Sequence, residues 1–285
     1  MSEFAFTTQP IGFKNPSFVL SIDVESWEEA NIDCHMPTNP SLVRQVDKVL
    51  EILAKHNAKA TFFILGKVAQ TFPEVVKSIA SVGHEVACHS YFHKPIYRQT
   101  PEEFKADLLR AKQVLELVSG QKVCGFRAPY FSITRESLWA LPILIEAGFG
   151  YDSSLVPVRA PNYGFVDGKE GFYRLCLSNG VSLIEAPPAT ARVFGYRVPL
   201  GGGYFKMFSK EPFIRKLADL QSRKLPAVFY FHPHELEELP LRKELNGVPF
   251  WIYWKENMGR RQMREKLELL LAAFCFTSFR EGLGL

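Results

Sequence analysis

The chain has 285 residues, 47% of them hydrophobic, and 34 Lys plus Arg against 30 Asp plus Glu give a net charge of +4. That length and apolar content support a substantial buried core, while so mild a charge, without basic runs interleaved with aromatics, argues against a nucleic-acid groove. The five cysteines (Cys34, Cys88, Cys124, Cys176 and Cys275) are odd in number and widely spaced, which speaks against a disulfide framework or a thiolate zinc site.

Residues 1–14 lack a basic start followed by an apolar run, so no secretory signal is expected. Residues 16–23 read as a buried strand ending in acid. Asn39-Pro40 then caps a helix whose Val46, Val49, Leu50 and Leu53 keep helical spacing. The next strand is 60–65, and Thr71 to Glu74 has the spacing of a capping box opening a helix through Ile79. Strand 83–88 ends at His89. Thr100 to Glu103 is a second capping box, and Phe104, Leu108, Ala111 and Leu115 form one apolar helix face. A strand at 122–126, a helix at 135–147 and a short strand at 149–151 follow. The Gly- and Pro-rich stretch 155–208, with Gly201-Gly-Gly203 inside it, reads as irregular. A helix at 212–222, a strand at 227–231, a helix at 263–273 and a strand at 274–277 complete the chain.

Such alternation implies parallel strands joined by crossover helices, in an open sheet or a barrel, and one domain over 1–285. The apolar stretch 269–279 is too short to span a bilayer. A reduced, cytoplasmic setting is expected, with peripheral membrane contact left open. Asp23, His89, Arg127, Asp152 and His232 all fall at carboxyl ends of strands, the rim where barrel active sites form.

Asp23 and Glu25, two apart on an extended strand, face the same side. One can bind metal while the other takes a proton. His89 and His93 can reach one metal ion, and imidazoles with a single carboxylate make a catalytic rather than a structural ligand set. Arg127 can hold a carboxylate through its guanidinium fork, and Pro129 can help aim the Tyr130 backbone N–H at an oxyanion. His232 ends an apolar strand, and Asp152 can pair with it to keep it protonated as a general acid, with His234 and Glu235 as substitutes.

Taken together, several segments resemble the NodB-homology polysaccharide deacetylases. They are Ser21-Ile-Asp23-Val-Glu25, Ala60-Thr-Phe-Phe, residues 83–93 (GHEVACHSYFH), Gly125-Phe-Arg127-Ala-Pro-Tyr130, Gly148-Phe-Gly-Tyr-Asp152 and Phe231-His232-Pro-His-Glu. The matches span roughly 17–235. Leu200-Gly-Gly-Gly-Tyr-Phe and Phe274-Cys-Phe-Thr look like the branch found with bacterial surface-polysaccharide synthesis. The resemblance implies a distorted (β/α) barrel of about seven parallel strands, completed by the C-terminal helix and strand. It also implies metal-assisted hydrolysis of an N-acetyl group on an amino sugar, and the lack of a secretory signal makes a nucleotide-linked or lipid-linked sugar, or a glycan under construction, the expected substrate. Asp23 would then be the base, Arg127 its orienter, Tyr130 the oxyanion donor and His232 the acid supported by Asp152. Glu25, His89 and His93 would hold a divalent ion, zinc in the first instance. Glu25 takes that place because Val24 stands where most of the family has a second aspartate.

The rival readings are a deformylase of a formamido sugar, a metal-free amidohydrolase and an inactive glycan-binding module. Arg192, Tyr196 and Arg197 are expected on an exposed loop contacting the carrier or neighbouring sugars.

Overall fold

Strands apolar on both faces need cover on both sides, and a sheet curled into a ring with helices outside supplies it. The computed structural model describes residues 6–11, 18–160, 162–177, 180–245 and 248–285. Pro16 and Ser17, read above as the start of a strand, lie outside these, as do residues 1–5 and 12–15 of the N-terminal stretch. The strands before the long Gly- and Pro-rich stretch are β1 (Phe6–Pro10), β2 (Phe18–Val24), β3 (Thr61–Ile64), β4 (Glu85–Cys88), β5 (Gly125–Phe126) and β6 (Tyr151–Asp152). After them come β7 (Tyr173–Leu177), β8 (Ser182–Glu185), β9 (Thr190–Val193), β10 (Tyr196–Pro199), β11 (Val228–Phe231) and β12 (Phe276–Thr277).

Seven strands, in the order β8-β6-β5-β4-β3-β2-β11, pair in parallel. Just past β8, Pro188 bridges Val228 of β11, so the ring closes as a distorted (β/α) barrel. The last strand, β12, pairs with the first residues of β2 instead of completing that ring. Period two sorts β2: Val19 packs inside with Phe63, Ala87, Tyr151, Ala186 and Val228, while Leu20, Ile22 and Val24 face the helices. Phe279, from the helix Phe279–Leu283, joins the inner cluster and plugs the barrel from below.

Three further readings are corrected. Residues 155–208 hold β7 to β10 and the helix Gly202–Met207, and β8 is the strand that closes the ring. Its four residues alternate in burial, a weak signal among Gly and Pro. Thr71 caps nothing: it ends the helix Gly66–Thr71, with its hydroxyl donating to the Lys67 carbonyl (2.8 Å), and the next helix, Pro73–Ser81, opens on its proline. The expected helix 135–147 splits into a 3₁₀ turn, Arg135–Ser137, and the helix Ala140–Glu146. The helix Phe250–Asn257 had no reading in the sequence at all. Thr100, by contrast, makes both bonds of its capping box with Glu103 at the head of the helix Pro101–Ser119.

Candidate active site

The inward parity of β2 sends Asp23 and Glu25 into the mouth of the barrel, where a cleft of about 310 Å³ opens. Asp23 does not stand alone. Arg127, following β5, is fully buried, and such a charge persists only when it is paired and hydrogen-bonded. Its Nη1 donates to Asp23 Oδ1 (2.6 Å), Nη2 to Ser153 Oγ (2.9 Å) and Nε to the Ser153 carbonyl (3.3 Å). The guanidinium also lies 4.2 Å over the Phe63 ring. One Asp23 oxygen is therefore held, and the other faces the cleft beside His232 Nε2 at 3.9 Å.

Glu25, His89 and His93 converge with equal economy. His93 Nε2 and His89 Nε2 lie 2.7 and 3.3 Å from Glu25 Oε2, and all three side chains are buried. That oxygen nevertheless makes no well-aligned hydrogen bond. Two nitrogens and an oxygen that crowd together without a shared proton are the donors a cation would sit among. His89 Nδ1 is turned to the Arg127 carbonyl (2.8 Å), the outer contact that fixes a ligating imidazole with Nε2 pointing inward. Burial pushes the Glu25 carboxyl up, but the imidazoles of His93, His89 and His232 outweigh it and hold it well below the usual range. The residues present fit a divalent ion. A second acid, cysteine and histidine grouping, Asp33, Cys34 and His35, is largely exposed and lies outside this cleft.

His232 follows β11 on the same inward parity as Val228 and Tyr230. Its Nδ1 lies 3.3 Å from Glu235 Oε2, and the same carboxylate accepts the His232 backbone N–H (3.0 Å). Pro233 starts a 3₁₀ turn that folds Glu235 back three residues onto the ring. Burial lowers the imidazole's affinity for protons, yet Glu235, Glu25 and Asp23 raise its pKa to about 9. In return, Glu235 falls to about 2 against its own burial.

Asp152 is not the partner of His232. Tyr151 takes the inward position on β6, so the next residue points to the other face. There Asp152 accepts from Ser154 Oγ (2.6 Å) and lies opposite Glu185 in the ladder. Burial raises both carboxyls, and Asp152 pushes Glu185 further up. His234 is no substitute acid either. Buried, and with Arg260 Nη2 3.3 Å from its Nδ1, it is driven well below its normal pKa and stays neutral.

Tyr130, which lines the cleft, occupies a left-handed conformation (φ 55°). The neighbouring Phe131 and Ser132 N–H groups donate to Ala128 and Pro129 carbonyls, whereas among the described residues none accepts from Tyr130. Its ring packs 4.2 Å from His93, and its hydroxyl donates to the Ala30 carbonyl (2.8 Å). Arg192, Tyr196 and Arg197 lie on a β9–β10 hairpin, not a loop, and do not line the cleft. Gly203, Tyr204, Lys206 and Met207 from the following helix line it instead. Lys206 is wholly buried, with Nζ on the Glu256 carbonyl (2.8 Å) and carboxylate (3.3 Å). Nothing in its sequence surroundings marks it as a cleft residue, because the partner is 50 residues away.

Residues 36–144 match the model of the polysaccharide deacetylase family. Residues 153–283 match a domain of unknown function, and the barrel draws β8 and β11 from that segment. Among curated relatives, a peptidoglycan-N-acetylglucosamine deacetylase of Bacillus cereus is 36% identical over 94 residues, 33% of this chain and 34% of that protein. A peptidoglycan deacetylase of Helicobacter pylori is 31% identical over 39% of this chain and 37% of its own length. The chain thus spans about a third of the length of such relatives. A solved structure from Mycobacterium smegmatis, described as a candidate polysaccharide deacetylase, shares the fold. It has a TM-score of 0.62 and 22% identity over 96% of this chain and 91% of that one.

Proposed function

We propose that this chain is a metal-dependent hydrolase of the polysaccharide deacetylase family that removes the N-acetyl group from an amino sugar of a surface polysaccharide or its carrier-linked precursor. One observation carries the reading: Glu25, His89 and His93 meet at an oxygen without a hydrogen bond, with Asp23 and His232 facing the same cleft. A divalent ion on those three residues would supply Lewis acidity toward the amide carbonyl and acidify water.

The other steps belong to the chain itself. Arg127 fixes one Asp23 oxygen, leaving the second to take the proton of the attacking water. The Tyr130 N–H donates to the oxyanion of the tetrahedral intermediate. His232, protonated at neutral pH and steadied by Glu235, donates to the departing amine nitrogen. A dedicated donor matters because an amide nitrogen leaves poorly as an anion.

The test is acetate release from N-acetylglucosamine oligomers by purified protein, with metal content measured before and after chelation and zinc addition. Absence of released acetate from metal-replete protein, or undiminished release after complete metal removal, would sink the proposal. Formate release from formamido sugars in its place would move the reading to a deformylase.

A further inference from the structure

The helix Phe250–Asn257 is half aromatic, yet none of its residues is fully buried. Its inner side is Ile252 and Tyr253, which pack with Leu239, Leu245 and Val248 against Trp27, two residues beyond Glu25. Its outer side carries Phe250, Trp251 and Trp254, exposed at 65%, 64% and 59%. Spacings of three and four residues put these rings on one face, with Lys255 one turn beyond Trp251. Lys255 and Glu256 line the cleft, so the aromatic face begins where the cleft's rim ends.

Three large rings left in water beside a reaction cleft mark a binding surface. The surrounding charges say what kind. Lys255 Nζ lies 3.7 Å from Glu256 Oε1, Arg261 pairs with Glu238, and Arg242 Nε donates to the Val248 carbonyl (3.2 Å). An anionic membrane would call for unpaired cations around the aromatics, and these three are engaged. The C–H face of a sugar ring asks only for a flat aromatic plane. Trp251 and Trp254 are separated by about 4.5 Å along the helix axis, three residues at 1.5 Å each, a spacing on the scale of one sugar unit.

We propose that Phe250, Trp251 and Trp254 form a stacking platform for sugar units adjoining the one whose amide enters the cleft. The protein then acts on glycan chains in preference to single amino sugars. The inference rests on the deacetylase reading for what the cleft does, but the platform is a binding claim with its own readout.

The experiment compares the N-acetylglucosamine hexamer with the dimer on the full chain. Binding is followed by tryptophan emission and calorimetry, and acetate release is measured in parallel. Hexamer should bind at least about tenfold tighter than dimer, and the Trp251→Ala/Trp254→Ala double variant should lose that preference. Unchanged far-UV dichroism checks the fold, and the Trp251→Phe/Trp254→Phe pair should recover part of the preference. Equal affinity for both oligomers in the wild type, or an undiminished preference in the alanine pair, overturns the platform. So does flotation with phosphatidylglycerol vesicles that the alanine pair abolishes, if no oligomer preference accompanies it. Acetate release without length preference sinks the platform and leaves the cleft reading standing. Length-dependent binding without release does the reverse.

Discussion

Asp23 and Glu25 share a strand and a parity, and their neighbours separate them. Asp23 is gripped by a guanidinium, whereas Glu25 is crowded by two imidazoles that offer it no aligned proton. Asp23→Asn should therefore keep the metal while lowering turnover on the order of 10²–10⁴-fold, the usual range for a lost acid–base group. Glu25→Gln should lose metal together with activity. Metal analysis of both proteins decides, and the opposite pattern would exchange the two roles. For His232 the discriminating residue is Glu235. Glu235→Gln keeps the shape but removes the charge at Nδ1, and kcat should fall roughly 10–100-fold with metal content unchanged. Asp152→Asn, on the opposite face of its strand, should cost less. An equal or larger kcat loss there would restore Asp152 as the partner.

At the level of elements, two stretches with the same capping-box spacing part company. Thr100 accepts the Glu103 N–H while Glu103 reaches back, so Thr100→Ala should cost about 0.5–2 kcal/mol in urea unfolding. Thr71 only donates to the carbonyl four residues behind it, and Thr71→Ala should change stability by less than about 0.5 kcal/mol. A comparable loss from both would mean that Thr71 caps after all. Barrel closure has its own weak point at Gly201, which bridges Tyr230 of β11 with φ 136°. A Cβ there would lie 2.0 Å from the Tyr230 carbonyl oxygen, with no side chain able to yield. Gly201→Ala should destabilise by about 2–4 kcal/mol and lower activity, because β11 leads directly into His232. A variant with wild-type melting behaviour and turnover would show that the bridge does not matter.

Over the whole molecule, part of the acid sensitivity should originate far from the cleft. His84, at the start of β4, is buried with its Nδ1 unpartnered, and burial together with Lys59 lowers its pKa to about 4. The unfolded chain binds that proton near the ordinary value of about 6.5. Between these two values the unfolded state holds more protons, so stability falls as pH drops through the window. The contribution between pH 7 and pH 5 is on the order of 2 kcal/mol. In His84→Gln that part of the pH dependence should vanish, as measured by urea midpoints at the two pH values. An unaltered slope would place the acid sensitivity elsewhere.

What the sequence determined by itself was whatever depends on neighbours along the chain. Strand and helix periods announced parallel strands joined by crossover helices, in an open sheet or a barrel, and period two aimed Asp23 and Glu25 together. The spacing of His89 and His93 placed two nitrogens within reach of one point. Tertiary structure decided the pairings. The sequence pairs His232 with Asp152 and leaves Glu235 a substitute, but the pleat of β6 turns the first away while a 3₁₀ turn folds the second back. Closure by β8 was hidden because four residues of mixed burial carry too little periodic signal, and their worth lies in the bridge to a strand 40 residues on. The aromatic helix 250–257 was equally opaque. An exposed ring and a buried ring read alike until the neighbours that could cover it are in place.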